Sequence, residues 1–323
     1  MALPAILVTG TAKYSLGESF ISQYCSQVDH LPVISLDRQL NPGLDRFEKV
    51  KAVQISLSPF DYSDGYGYFQ NKLKIALRKA VNTLSCDSIS SAILSAGLYA
   101  SGPFIKHTQE TRKSLLGVNI IGKYEVLYST LLLNRRLGFD NSIGFTLVDI
   151  GSIHGLRPSH LHSLYSPSKA IGLGLCAALQ DGEEVRRCVH IAPGPIDTCM
   201  LHRNYWITKE KGPAEFLDFM LLQHEELYHD IFVKCRESAL KEACAIKFEN
   251  FNKMMDIFRR YRHRRQLQIR AKEGILKPKD VADLLVNIVL DDKGNPPGVY
   301  IVTAPEAKMQ VKRVPFSQFS FRL

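Results

Sequence analysis

Apolar residues in this chain come in short unbroken runs, separated by longer stretches of mixed polarity. The runs "AILVTG" (5–10), "PVISLD" (32–37), "KAVQISL" (51–57), "SAILSAG" (91–97), "GFTLVDIGS" (144–152), "CVHIAPG" (188–194) and "GVYIVTA" (298–304) read as seven strands. Continuous apolar runs, rather than alternating ones, mark strands covered on both faces. Between them, a helix starts near Gly17, "NKLKIALRKAV" (71–81) is amphipathic, and a long helix covers 109–136. Another helix begins near Ser163, and one covers 278–290. Strand–helix alternation of this kind predicts an α/β fold, a doubly wound parallel sheet with helices on both faces.

One stretch breaks the rhythm. Between the sixth strand and the last helix the chain has no convincing strand and is helical in pattern, as in "GPAEFLDFMLLQHEELYHDIFVKC". An insertion after a strand's carboxyl end sits where such sheets bind ligands. Residues 199–277 therefore read as a helical lid within one domain spanning 1–323, not as a second domain.

Composition narrows the classes. Of 323 residues, 45% are hydrophobic and 23% charged, which is ordinary globular usage. No basic leader precedes the first strand, and no apolar run is long enough to span a membrane. The seven cysteines are scattered without CxxC spacing, so reduced thiols in a cytoplasmic protein are expected. A formal charge of +9 suits anionic ligands, although no nucleic-acid-binding motif accompanies it.

Candidate chemistry sits at the ends of the strands. "LVTGTAKYSLGESF" ends the first strand and opens a helix, a place where glycines let backbone approach a pyrophosphate. Thr9-Gly10 could equally be a plain strand-to-helix turn. Asp37 ends the second strand, where a carboxylate can accept from both ribose hydroxyls and repel a 2′-phosphate. That favours NAD, but Arg38 and Lys13 could pair with a phosphate, which keeps NADP open. In "YSPSKA" (165–170), Tyr165 and Lys169 share one helix face. An ammonium beside a phenol lowers its pKa and lets it exchange a proton near neutral pH. Ser152, at the end of the fifth strand, could bind the same substrate oxygen. Taken singly, Tyr165 could be a packing aromatic and Lys169 a solvated charge.

The ordered set of motifs resembles the short-chain dehydrogenase/reductase family. It comprises "TG" with a later glycine, an acidic end to the second strand, "SAG" (95–97) and "VN" (118–119). It continues with Ser152 thirteen residues before Tyr165, "YSPSK", and "PGPIDT" (193–198). The resemblance implies a Rossmann-type sheet and an NAD(P)-dependent oxidoreductase that interconverts an alcohol and a carbonyl compound. It implies Tyr165 as general acid/base, Lys169 as its helper and ribose ligand, Ser152 as orienter of the substrate oxygen, and Asn119 as holder of helix geometry and a water. Gly10, Thr11, Tyr14, Ser15, Leu16 and Gly17 would form the phosphate turn. Asp61 and Tyr62 would flank the adenine, and Ala96, Gly97, Pro193, Gly194, Ile196 and Thr198 would line the rest of the cofactor groove. Members of this family usually pair through the helices at 109–136 and 165–184, so a homodimer or homotetramer is expected.

The first turn departs from the family's TGxxxGxG, with Tyr14 and Ser15 near the middle glycine and one extra residue before Gly17. A catalytically inactive member that senses nucleotide or binds a partner is the alternative. His154, His160 and His162 lie in the loop bordering the expected substrate pocket, where they could touch an anionic or hydroxylated substrate or be merely solvated. No cysteine or carboxylate joins them at metal-ligand spacing, so no metal is expected. "RRYRHRR" (259–265) is a dense basic run that reads as a solvated helix face or an anion-binding one.

Overall fold

The computed structural model describes residues 3–27, 30–100, 102, 104–158, 162–198, 200, 275–291, 294–305 and 308–319. His160, the basic run 259–265 and nearly all of the expected lid lie outside the described residues.

The strands are β1 (Ala5–Thr9), β2 (Val33–Asp37), β3 (Val50–Gln54), β4 (Ile89–Leu94), β5 (Thr146–Ile150), β6 (Arg187–Pro193), β7 (Gly298–Thr303) and β8 (Gln310–Val314). They form one sheet in the order β3-β2-β1-β4-β5-β6-β7-β8. The first seven strands are parallel to their neighbours, as the apolar runs require. The eighth strand differs from the seven expected, and it pairs antiparallel with β7. Its sequence, "QVKRV", is exposed and charged, so it carries no apolar run to announce it. Charged residues of this kind are typical of sheet edges.

Side-chain alternation splits the core in two. Ala5 and Leu7 of β1 join one cluster, while Ile6 and Val8 join the other. The first cluster is closed by α2 (Gly65–Thr83), α4 (Lys123–Arg136) and α7 (Tyr165–Asp181), through Phe69, Leu73, Val126 and Cys176. The second is closed by α1 (Leu16–Cys25) and α8 (Pro278–Leu290), through Phe20, Tyr24, Val281 and Leu285. The described residues also form two short helices, α5 (Asn141–Gly144) and α6 (Ile153–Leu156), and α3 (Gln109–Leu116).

The helix expected over 109–136 is continuous but not uniform. Between α3 and α4, residues Gly117–Gly122 form a π-helical segment. Such segments often occur at functional sites, because the extra residue re-aims a side chain. Here the segment carries Asn119, which is buried.

The sheet order reverses between β1 and β4, which opens a crevice at the carboxyl ends of those strands. Asp37, Gly97, Ser152 and Pro193 all follow or end strands on that side. The chain leaves the described region after β6 and returns beside its exit: Ile196 bridges Leu276, and Leu276 N donates to Pro195 O at 2.9 Å.

Candidate active site

The β1–α1 turn is built around close backbone approach. Gly10 has φ +74°, and a Cβ there would stand 2.7 Å from the Ala96 backbone. A Cβ at Gly17 would meet Gly10 O at 2.5 Å. Ala96 N donates to Thr9 Oγ1 at 3.0 Å, which ties the β4 end to this turn. Thr11 is buried and bonds Ser35 Oγ at 2.6 Å. Ser15 caps α1 by accepting from Glu18 N at 3.1 Å, and Leu16 is buried in the core. Tyr14 takes φ +62°, a left-handed conformation that favours glycine, and its ring is exposed. The Glu18 carboxylate accepts from Tyr14 N and from Asn41 Nδ2. An acidic side chain therefore sits at the helix start where a phosphate would be received. Glu18 had no place in the sequence expectation.

Asp37 ends β2 as expected and faces the same turn. Its carboxylate accepts from Ala12 N at 2.9 Å and Gln39 N at 3.0 Å. Asp61 bonds Ser56 Oγ, and Tyr62 donates to Ser56 O at 2.9 Å while stacking on Phe69. Neither makes a hydrogen bond to the β1–α1 turn among the described residues. Beyond β6, Gly194 N donates to Val302 O at 2.8 Å, and Thr198 N donates to Ile196 O at 2.8 Å.

The four expected catalytic residues converge. Asn119 Oδ1 accepts from Leu98 N at 2.6 Å, and its Nδ2 donates to Leu98 O and to Ser168 Oγ, both at 2.9 Å. These bonds tie the segment after β4 to α7. Lys169 Nζ donates to Ile150 O at 3.0 Å and lies 5.8 Å from the centre of the Tyr165 ring. A Cβ at Gly97 would stand 3.0 Å from Lys169 Nζ and 3.4 Å from Asn119 Oδ1, so glycine keeps that junction uncrowded. Ser152 hydrogen-bonds the Tyr165 side chain and also caps α6, accepting from His154 N at 3.2 Å.

Burial decides the protonation at this junction. Desolvation raises the Tyr165 phenol well above its ordinary value; the Ser152 hydrogen bond pulls it back and the Tyr99 phenol adds to the rise. Lys169 is pushed down to about 7 by burial first and the Lys123 ammonium second, against an opposing pull from Asp149. Where the sequence predicts a phenol lowered by its lysine neighbour, loss of water raises it instead.

Beneath Lys169 lies a buried polar group that sequence reasoning missed. Lys123 Nζ donates to Asp149, whose other oxygen bonds His190 Nδ1 at 2.8 Å. Burial works against the charge on Asp149, but Lys123 and His190 outweigh it and hold the carboxyl below the usual range. Ligand-type atoms of Asp149, Cys176 and His190 lie within 4.8 Å of one another. A metal ion there would compete with the Lys123 ammonium already paired with Asp149.

Near the mouth, His154 and His162 stack with centroids 3.9 Å apart, and both rings lie within 6.5 Å of Tyr165. Tyr99, which the sequence reading did not single out, lies edge-on to Tyr165 at 4.9 Å.

Comparison with known proteins gives concordant results. A family model described as short chain dehydrogenase matches residues 4–206. A short-chain dehydrogenase/reductase of Pyricularia oryzae, ABA4, is 38% identical over 77 residues, which are 23% of this chain and 29% of that protein. The chain thus matches under a third of the curated relative's length. Among solved structures, a short-chain glucose/ribitol dehydrogenase of Brucella melitensis superposes with a TM-score of 0.59 at 14% identity, covering 93% of this chain and 96% of that one. A 3-ketoacyl-(acyl-carrier-protein) reductase of Brucella melitensis complexed with NADH gives 0.59 at 14% identity, covering 95% and 99%. A 4-hydroxyisoleucine dehydrogenase complexed with NADH gives 0.58 at 16% identity, covering 94% and 98%.

Proposed function

This chain belongs to the short-chain dehydrogenase/reductase family, and we propose that it is an NAD(P)-dependent oxidoreductase interconverting an alcohol with a ketone or aldehyde. The observation that supports this most is the convergence of Asn119, Ser152, Tyr165 and Lys169 at the carboxyl ends of β4 and β5. The residues at the crevice fit a nicotinamide cofactor. Gly10, Gly17 and Gly97 leave room for close approach, Asp37 stands where a ribose would be held, and Lys169 faces the same space. Such a cofactor, when bound, supplies or takes up the hydride.

The protein's own part is the proton. Burial keeps the Tyr165 phenol protonated at neutral pH, so it can donate to a carbonyl oxygen in the reductive direction. Ser152, already bonded to that phenol, would share the substrate oxygen and fix its place. Lys169, brought down to about 7, can exchange a proton at neutral pH and so recharge Tyr165. Asn119 holds the junction that aligns them. His154 and His162 border the pocket, and residues 199–277 would cover it as a lid. A homodimer or homotetramer in the cytoplasm completes the reading.

A second reading, a non-catalytic nucleotide sensor or interaction module, draws support from Glu18 and Tyr14 at the phosphate turn. The experiment separating the two is turnover on a panel of secondary alcohols and ketones, with cofactor-fluorescence titration beside it. Tyr165→Phe should keep cofactor binding and lose about 10²–10⁴-fold in rate. Full turnover in Tyr165→Phe removes Tyr165 as the proton carrier; binding without turnover on any substrate favours the second reading.

A further inference from the structure

Two chain segments meet in front of Tyr165: the one that follows β4, through residue 107, and the loop that leads into α7. Their junction is made of specific contacts. The Tyr99 hydroxyl and His162 Nε2 lie 2.8 Å apart in a hydrogen bond. Gly102 pairs with His162 as an isolated parallel bridge. Ser163 Oγ donates to Gly102 O at 3.0 Å, and His107 Nε2 bonds the same carbonyl at 3.2 Å. Beneath the junction, Tyr99 and Ala100 pack with Leu115, Leu164 and Tyr165 in a small apolar cluster apart from the two main cores.

Tyr99 belongs to both halves of this arrangement. Its ring edge meets Tyr165 with centroids 4.9 Å apart and planes at 61°, a favourable aromatic geometry. Its hydroxyl holds His162, which in turn stacks on His154 at 3.9 Å. We propose that Tyr99 is a positioning residue for the reaction: its ring backs the Tyr165 phenol, and its hydroxyl holds the His154–His162 wall over the substrate entrance. The proposal rests on Tyr165 as the proton carrier.

Removal of the ring should let water reach Tyr165. Among the described residues, Ser152 and Lys169 would then face the phenol from β5 and α7, with His154 and His162 from the loop. The loss of the hydroxyl alone should loosen the wall but leave the phenol backed.

The test has two readouts. The first is a pH titration of Tyr165 by NMR on protein labelled at the tyrosine ζ-carbon. The chain has 13 tyrosines, so the Tyr165 signal is assigned as the one missing from Tyr165→Phe. In Tyr99→Ala the midpoint should fall by about one pH unit toward the free phenol value. In Tyr99→Phe it should stay within a few tenths of wild type. The second readout is steady-state kinetics on whichever substrate the panel identifies. Tyr99→Ala should lower kcat about tenfold or more with little change in the cofactor KM. Tyr99→Phe should raise the substrate KM about fivefold, the value of one lost hydrogen bond. An unmoved Tyr165 titration in Tyr99→Ala overturns the proposal, and so does wild-type kcat in that variant. If the alanine variant does not fold, an unchanged substrate KM in Tyr99→Phe overturns it. The NMR arm needs no turnover, so it judges Tyr99 even if Tyr165→Phe proves fully active and the parent reading fails.

Discussion

Asp149→Asn is the sharpest probe of what lies under the site. The change keeps the shape of the side chain and removes its charge. In the native protein that charge serves two groups: the Lys123 ammonium, whose side chain is 3% exposed, and the His190 ring, which is fully buried. The variant leaves the ammonium in an apolar interior without a counter-ion. Its escape is to release a proton, and an ordinary lysine gives one up at pH 7 only at a cost of about 4.6 kcal/mol. Measured losses on breaking buried pairs, about 3–5 kcal/mol, agree. Against a domain stability of about 5–15 kcal/mol, that is a large share. Lys123→Met should cost much less, about 1–2 kcal/mol, because Asp149 keeps His190 as a partner at 2.8 Å. The assay is urea unfolding of both variants at pH 7 and pH 9.5. The sign is fixed by proton counting. In the Asp149→Asn variant the unfolded state binds the proton that the folded state sheds, so its stability rises with pH. Its deficit should therefore shrink by about 3.4 kcal/mol at pH 9.5. At acid pH wild type loses the Asp149 contribution as pH falls, because burial is outweighed by Lys123 and the His190 hydrogen bond, which hold its carboxyl below the usual range. A deficit under about 1 kcal/mol at pH 7, or one that does not shrink with pH, would refute the argument.

Two further outcomes concern the cofactor and the assembly. NAD(H) should bind more tightly than NADP(H) at equal salt, because Asp37 would face a 2′-phosphate, and Asp37→Ala should narrow the gap; a clear NADP(H) preference in wild type would promote Arg38 or Lys13 to phosphate ligands. Light scattering at micromolar concentration should give a dimer or tetramer, since Tyr124, Tyr128 and Ile171 leave apolar surface exposed on α4 and α7; a monomer would contradict this.

Much of the fold was legible because burial on both sheet faces leaves a direct trace. β1 is "AILVT", fully buried, and its alternate residues feed opposite cores. No polar residue interrupts it, so a strand is the plain reading. β8 was not legible for the converse reason. It is an edge strand in which Lys312 and Arg313 meet solvent, and its pairing with β7 comes from backbone hydrogen bonds that composition does not reveal. The π segment at Gly117–Gly122 was likewise hidden, since it changes the helical pitch without changing the apolar pattern. Its glycines at least mark a close approach: a Cβ at Gly117 would strike Ser58.

The site divides along the same line. Tyr165, Lys169, Ser152 and Asn119 could be found because they belong to motifs at fixed spacing on adjoining elements. Lys123, Asp149 and His190 could not, because the three come from a helix and two strands that only the sheet order brings together. A lysine in "GKYEV" reads as a solvated helix charge, and an aspartate in "LVDIG" as a strand-end turn residue. Yet this group bears directly on Lys169, as Lys123 opposes the charge on it and Asp149 favours that charge. The motif therefore names the candidate side chains, while the burial that shifts Tyr165 and Lys169, and the deeper charges that act on Lys169, exist only in the folded chain. A phenol read from sequence as lowered is found raised for this reason: spacing shows that an ammonium is near, but only the fold shows how little water remains between them.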